Sequence, residues 1–226
     1  MQILDNPAWA ALTGPQAALA ERYGRSARYP ADVSILAGLT DPADPEAWHD
    51  LGMLLGPGEE ALIAGPTPRP PAGWTYTGGT RGVQLIGTRV RAAADPEAAV
   101  LTGADVPEVL DLVERTRPGP FRKRTIELGS YLGIRRDGAL IAMAGERMRL
   151  PGYTEISAVC TDPAFRGAGL ASRLINALAV GIRARGDIPF LHTAADNSGA
   201  IRLYEHLGFD LRIHLEFAAY RAAIPR

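Results

Sequence analysis

The segment from Glu155 to Gly186 narrows the choice of fold more than any other part of the chain. Glu155 to Thr161 reads as a short strand that ends at Asp162-Pro163. From Gly169 to Arg185, Leu170, Leu174, Leu178 and Ile182 recur every fourth residue and lay one apolar stripe along a helix. Gly186 stops that helix, and Arg183 and Arg185 occupy its last turn, where the macrodipole favours positive charge. Such a stripe needs a sheet to lie on, so a layered α/β protein is expected.

The flanking sequence supplies the rest of the sheet. Val100-Leu101 reads as a short strand, and Val106, Val109, Leu110 and Val113 fall at helical spacing within Val106 to Arg115. Ile126 to Ile134 and Ala139 to Arg147 flank Arg135-Arg136-Asp137-Gly138, an Asp-Gly turn that joins antiparallel strands. Phe190 to Ala195 is a further strand and Ser198 to Leu207 a helix closed by Gly208. In Leu211 to Phe217 the apolar residues alternate with Arg212, His214 and Glu216, as in a strand with one wet face. The predicted order is β-α-β-β-β-α-β-α-β, a mixed sheet with helices on it.

Upstream, Asn6-Pro7, Thr13-Gly14-Pro15 and Asp44-Pro45-Glu46 each place a capping side chain beside a proline, and each predicts a helix start. Ala61 to Ala64 fits a short strand, and the four prolines between Gly65 and Gly73 predict a loop. Trp74 to Gly87 reads as a hairpin turning at Gly78-Gly79. The alanine-rich stretch with Asp95-Pro96 suggests a division into an N-terminal α/β subdomain, residues 1–95, and a second domain, residues 96–226.

Arg and Lys number 24 against 25 Asp and Glu, so nothing in the overall charge advertises nucleic acid as a partner. The single Cys160 has no internal disulfide partner, the first residues lack a secretory pattern, and no apolar run approaches the ~20 residues that cross a bilayer. A cytoplasmic protein, monomer or homodimer, without a membrane partner is the expectation. No His, Cys, Asp and Glu spacing suggests a metal site.

Arg166-Gly167-Ala168-Gly169-Leu170-Ala171 joins the strand to the helix. Unpaired backbone amides and the positive end of the macrodipole at such a turn suit a phosphate, and Arg166 adds a charge. A nucleotide triphosphatase loop requires Gly-Lys-Ser/Thr, and the segment has no lysine. A dinucleotide fingerprint places its third glycine where Ser172 stands, with no acidic residue after a following parallel strand. The third pattern, Gln/Arg-x-x-Gly-x-Gly/Ala, is filled by Arg166, Gly169 and Ala171. It resembles the pyrophosphate loop of the GNAT superfamily of acetyl-CoA-dependent N-acetyltransferases. Val159, Thr161 and Pro163 before it, and Asn197, Ala200, Leu203, Tyr204, Gly208 and Phe209 after it, match that family's flanking blocks. The resemblance spans about Val100 to Tyr220; some relatives carry an N-terminal half that is a worn second copy of the fold, with which residues 1–95 are compatible.

The resemblance implies that the backbone of Val159, Cys160 and Thr161 binds the pantetheine arm of acetyl-CoA, while Arg166 and Gly167, Ala168, Gly169, Leu170 and Ala171 hold the pyrophosphate. It implies that Tyr204 protonates the leaving sulfur and that Asn197 contacts the cofactor; Asn197 also suits a helix cap. Direct attack of an amine on a thioester needs a proton acceptor. Glu155 is the expected base, because strand periodicity puts it on the same face as Val159; Glu127, Glu146 and His192 are further candidates. A Cys160 nucleophile with His192 as its base is disfavoured inside an apolar strand. The expected activity is acetyl transfer from acetyl-CoA to a small-molecule amine or a protein amino group in a ternary complex. A CoA-binding regulatory module without turnover is the alternative.

Overall fold

The computed structural model describes residues 2–65 and 70–222. Residues 66–69 of the proline-rich loop expected over 65–73 lie outside the described residues. Eight strands form one sheet in the order β4-β11-β5-β10-β9-β8-β7-β6. These are β4 (Glu60–Gly65), β5 (Trp74–Ile86), β6 (Ala99–Val100), β7 (Tyr131–Arg136), β8 (Ala139–Leu150), β9 (Tyr153–Thr161), β10 (Ile188–Ala194) and β11 (Asp210–Ala222). Only β9 and β10 run parallel, joined across α4 (Leu170–Ala184); their neighbours in the sheet are antiparallel. The sheet is mixed, as the sequence predicts.

Strand alternation sends successive residues to opposite faces. Ala142 and Ala144 of β8 pack with Leu174, Leu178 and Ile182 of α4, whereas Met143 between them packs with Val109 and Leu112 of α3 (Val106–Thr116). The α4 face also takes α5 (Ser198–His206) through Tyr204, together with Phe209 just beyond it. The β7–β8 turn has Asp137 at φ +50° and Gly138 at φ +83°, the two left-handed residues that a tight hairpin requires. Ile126 to Leu128, expected at the start of β7, form a 3-10 turn instead, and the strand begins at Tyr131.

The N-terminal residues form α1 (Pro7–Leu12), a small antiparallel sheet of β1 (Glu21–Tyr23), β2 (Ser26–Arg28) and β3 (Ala37–Leu39), and α2 (Pro45–Leu54). Asp44 caps α2 as expected, its carboxylate accepting from the amide of Glu46 at 3.0 Å. Thr13-Gly14-Pro15 starts only a 3-10 turn, Ala17–Leu19. Trp48 of α2 is buried against Trp74 and Tyr220 at ring separations of 5.1 and 4.9 Å. These contacts fasten the N-terminal residues to β5 and β11, and β4 and β5 are themselves hydrogen-bonded into the large sheet, which runs on across residue 95.

The expected hairpin at Gly78-Gly79 is absent, because residues 74–86 form one uninterrupted strand. Ala219 of β11 lies opposite Gly78 and Tyr220 opposite Tyr76, so Thr77 is an extra residue and the glycines mark a bulge. A Cβ on Gly79 would sit 2.8 Å from the Phe217 carbonyl oxygen, so glycine here serves close strand approach rather than a turn.

Candidate active site

β9 and β10 hold the centre of the site by parting. Their pairing runs from Tyr153↔Ile188 to Ile156↔Leu191 and stops, although β9 continues to Thr161 and β10 to Ala194. The cause is a bulge in β9: Ser157 opposes Gly145 and Cys160 opposes Met143, so Ala158 and Val159 together face Ala144, and Ala158 adopts φ +53°. A cleft of about 730 Å³ opens where the strands separate. Ser157 to Thr161 line one side and His192 to Ala194 the other, with Asn197 and Tyr204 from α5.

The structure thus gathers Val159, Cys160, Thr161, Arg166, Asn197 and Tyr204 around one cleft. Arg166 is exposed at its rim, with Nε 3.4 Å from the Thr161 carbonyl oxygen. Gly167 and Gly169 follow at φ +83° and +71°, left-handed values that favour glycine. A Cβ on either would meet nothing within 4 Å, so the space outside the turn is open. Ala168 is exposed between them, Leu170 is buried as the anchor of α4, and Ala171 is half-buried. Among the described residues the first amide beyond the turn to reach a backbone carbonyl is that of Arg173, 3.1 Å from the oxygen of Gly169. The amides from Gly167 to Ser172 are left without backbone acceptors, a row of donors fitted to an anion.

Tyr204 is 7% exposed, and burial pushes its hydroxyl up to about 12. It is therefore a proton carrier at neutral pH. Asn197 caps α5, its Oδ1 accepting from the Ala200 amide at 3.2 Å, and lines the cleft at the same time. Cys160 is buried, which pushes its thiol up and keeps it protonated. Among the described residues no three His, Cys, Asp or Glu side chains form a group that could hold a metal ion, and no helix is long and apolar enough to cross a membrane.

Glu155 does not share a face with Val159. The bulge adds a residue between them, so Val159 packs in the same cluster as Ile156, and Glu155 points the other way. There it is fully buried and held by Arg147, with Nε to Oε2 at 2.8 Å and Nη2 to Oε1 at 2.6 Å, and by His192 Nδ1 at 2.6 Å. Burial alone would raise its carboxyl; the charge and hydrogen bonds of Arg147, with those of His192, outweigh it and hold the group at about 2. Glu127 is paired with Arg124 and Glu146 with Arg185, and neither lines the cleft.

His192 does line it. Arg212 Nη1 donates to Gln84 Oε1 at 2.8 Å, which turns the Gln84 nitrogen toward Leu4 O and His192 Nε2, at 2.9 and 3.0 Å. An amide nitrogen only donates, so Nε2 is the accepting nitrogen and Nδ1 carries the hydrogen facing Glu155. Arg147 was invisible to sequence reasoning, because its meaning depends on the cross-strand neighbour Glu155. Ile35 and Leu62, which reach the cleft from the turn before β3 and from β4 respectively, carry no motif either.

The family described as FR47-like protein matches residues 131–218. A crystal structure of a putative acetyltransferase from the GNAT family of Novosphingobium aromaticivorans aligns at 38% identity and a TM-score of 0.90, over 99% of this chain and 100% of that one. The chain belongs to the GNAT family. Two curated relatives agree with this: the N-alpha-acetyltransferase RimI of Mycobacterium tuberculosis is 35% identical over 96 residues, 41% of this chain, and the mycothiol acetyltransferase of Brachybacterium faecium is 32% identical over 133 residues, 56% of this chain. The chain spans 59% of the length of the first and 37% of the second. The mixed sheet and its helices are accordingly those of a GNAT acetyltransferase fold.

Proposed function

We propose that this GNAT protein is an N-acetyltransferase that moves an acetyl group from acetyl-CoA to a primary amine by direct attack in a ternary complex. The observation that carries the reading is the parting of β9 from β10 beside the bare turn at Gly167–Gly169. The unpaired edge at Val159 to Thr161 offers a peptide-like arm the bonds of an added strand, and the amides from Gly167 to Ala171 with Arg166 offer a diphosphate its donors. When bound, acetyl-CoA supplies the thioester. Tyr204, which lines the cleft and is protonated at neutral pH, would supply the proton to the departing sulfur. His192 lines the cleft with both ring nitrogens engaged, Nδ1 by Glu155 and Nε2 by Gln84, so water in the cleft takes the amine's proton. Glu155 and Gln84 hold the His192 ring in one tautomer at the cleft wall.

The test is to mix the purified protein with acetyl-CoA and a panel of primary amines and to follow free thiol. Amine-dependent thiol release is expected. Stabilisation by CoA with no thiol release from any acceptor would replace this reading with that of a CoA-binding module without turnover.

A further inference from the structure

The two ends of the cleft differ in character. Tyr204, Ile156 and Val159 pack in the cluster around α4, on the side of the glycine turn. Leu62 and Phe217 pack in the cluster of the N-terminal residues, and with Ile35 and Ala219 they line the other end. Phe190 and Leu191 of β10 divide between those two clusters, so the clusters lie on opposite faces of the sheet. β5 adds only Gly78, Gly79 and Thr80 to the lining. Among the described residues no unmatched charge stands at this second end. Arg147 is turned to Glu155 by two hydrogen bonds, and its Cζ lies 5.8 Å from the centroid of the Phe217 ring. Both His192 nitrogens are engaged. The other two arginines of the lining belong to the cofactor side: Arg166 precedes the glycine turn, and Arg117 follows Thr116, whose side chain hydrogen-bonds the Cys160 thiol. Among the described residues no Asp or Glu lines the cleft, and the two acids of the neighbouring pocket, Glu59 and Glu60, are paired with Arg28 and Arg221.

We propose that the acceptor is a small primary monoamine with an uncharged, apolar body, which lies on Ile35, Leu62, Phe217 and Ala219 with its amino group toward the parted strands. This rests on the acetyltransferase reading above and names its substrate class. With the glycine turn, the β9 edge and Tyr204 given to the cofactor, the apolar end is what remains for the acceptor. Each methylene that leaves water there strengthens binding by about four-fold. A second ammonium or a carboxylate on the same body would leave water with no counter-charge to meet it, which costs more than the methylenes gain. The apolar surroundings also disfavour the ammonium against the neutral amine, the form able to attack.

The test reads binding and turnover separately. With CoA present, calorimetry compares N-hexylacetamide with two acetamides whose terminal methyl is replaced by a charge, N-acetyl-1,5-diaminopentane and 6-acetamidohexanoate. N-hexylacetamide is expected to bind about ten-fold tighter than either, or more. Shortening its chain to butyl should weaken it by about fifteen-fold. Leu62→Glu supplies a counter-charge and should reverse the order, bringing N-acetyl-1,5-diaminopentane above N-hexylacetamide. Ile35→Glu, on the turn before β3, should do the same and stands in if the first variant fails to fold. A charged amide that binds wild type as well as N-hexylacetamide does, affinity indifferent to chain length, an order unchanged in the variants, or no binding by any of the three overturns the proposal. Thiol release from hexylamine, 1,5-diaminopentane and 6-aminohexanoate then tells the two readings apart. Release that favours a charged amine sinks the acceptor class alone, whereas apolar-selective binding with no release from any amine sinks the acetyltransferase reading.

Discussion

Replacing Glu155 with glutamine changes one oxygen for one nitrogen and leaves Arg147 buried without its counter-charge. The size of the effect follows from the carboxyl's position. Its folded-state value of about 2 lies below the ordinary 4.5, so the group stabilises the fold at every pH above 4.5, and that contribution is lost as the pH falls from 4.5 toward 2. The gap is worth about 3 kcal/mol at neutral pH. Breaking a buried ion pair from one side costs about 3–5 kcal/mol by an independent route. Glu155→Gln should therefore lower the melting temperature at pH 7 by roughly 6–12 °C for a chain of this size. In urea titrations the stability gap between wild type and variant should shrink progressively below pH 4.5. Arg147→Met combined with Glu155→Leu, which removes both charges, should be more stable than Glu155→Gln alone. An unchanged melting temperature at pH 7, or a gap that stays constant down to pH 3, would refute the reasoning.

Three further outcomes follow from the site and the core. Tyr204→Phe should lower kcat by roughly 10²–10⁴ while leaving CoA affinity within about two-fold, read from steady-state kinetics and calorimetry; equal turnover at all pH values would remove the acid role. Gly169→Val puts a β-branched residue at φ +71° and should weaken CoA binding by about ten-fold or more, measured by titration calorimetry, with the loss absent if the turn does not hold the diphosphate. Trp48→Ala empties the contact between α2 and the strands carrying Trp74 and Tyr220, and should cost about 3–5 kcal/mol of stability in denaturant unfolding.

Much of the architecture was legible in the chain. The four-residue recurrence from Leu170 to Ile182, the Asp137-Gly138 turn and the alternation after Leu211 are local patterns, and each names its element. Elements whose pattern had two physical readings came out differently. Gly78-Gly79 suits a turn or a close strand approach, and only the Phe217 carbonyl on the neighbouring strand decides between them. Ile126 to Leu128 are apolar enough for a strand, but tertiary packing folds them into a turn before β7.

The sequence by itself determined the order of strands and helices from Val100 onward, the glycine turn, and the placement of Tyr204 on α5 and Asn197 at its cap, because each depends on neighbours within a few positions. The tertiary structure alone decided which side chains face one another. A single extra residue at the Ala158 bulge turns Glu155 away from Val159 and into the grip of Arg147 and His192, and strand periodicity carries no record of it. The wall of Ile35 and Leu62, drawn from residues far from the glycine turn, likewise exists only where the sheet brings β4 beside β11. Cross-strand register is a long-range property, fixed by the packing of the whole sheet and written in no short run of residues.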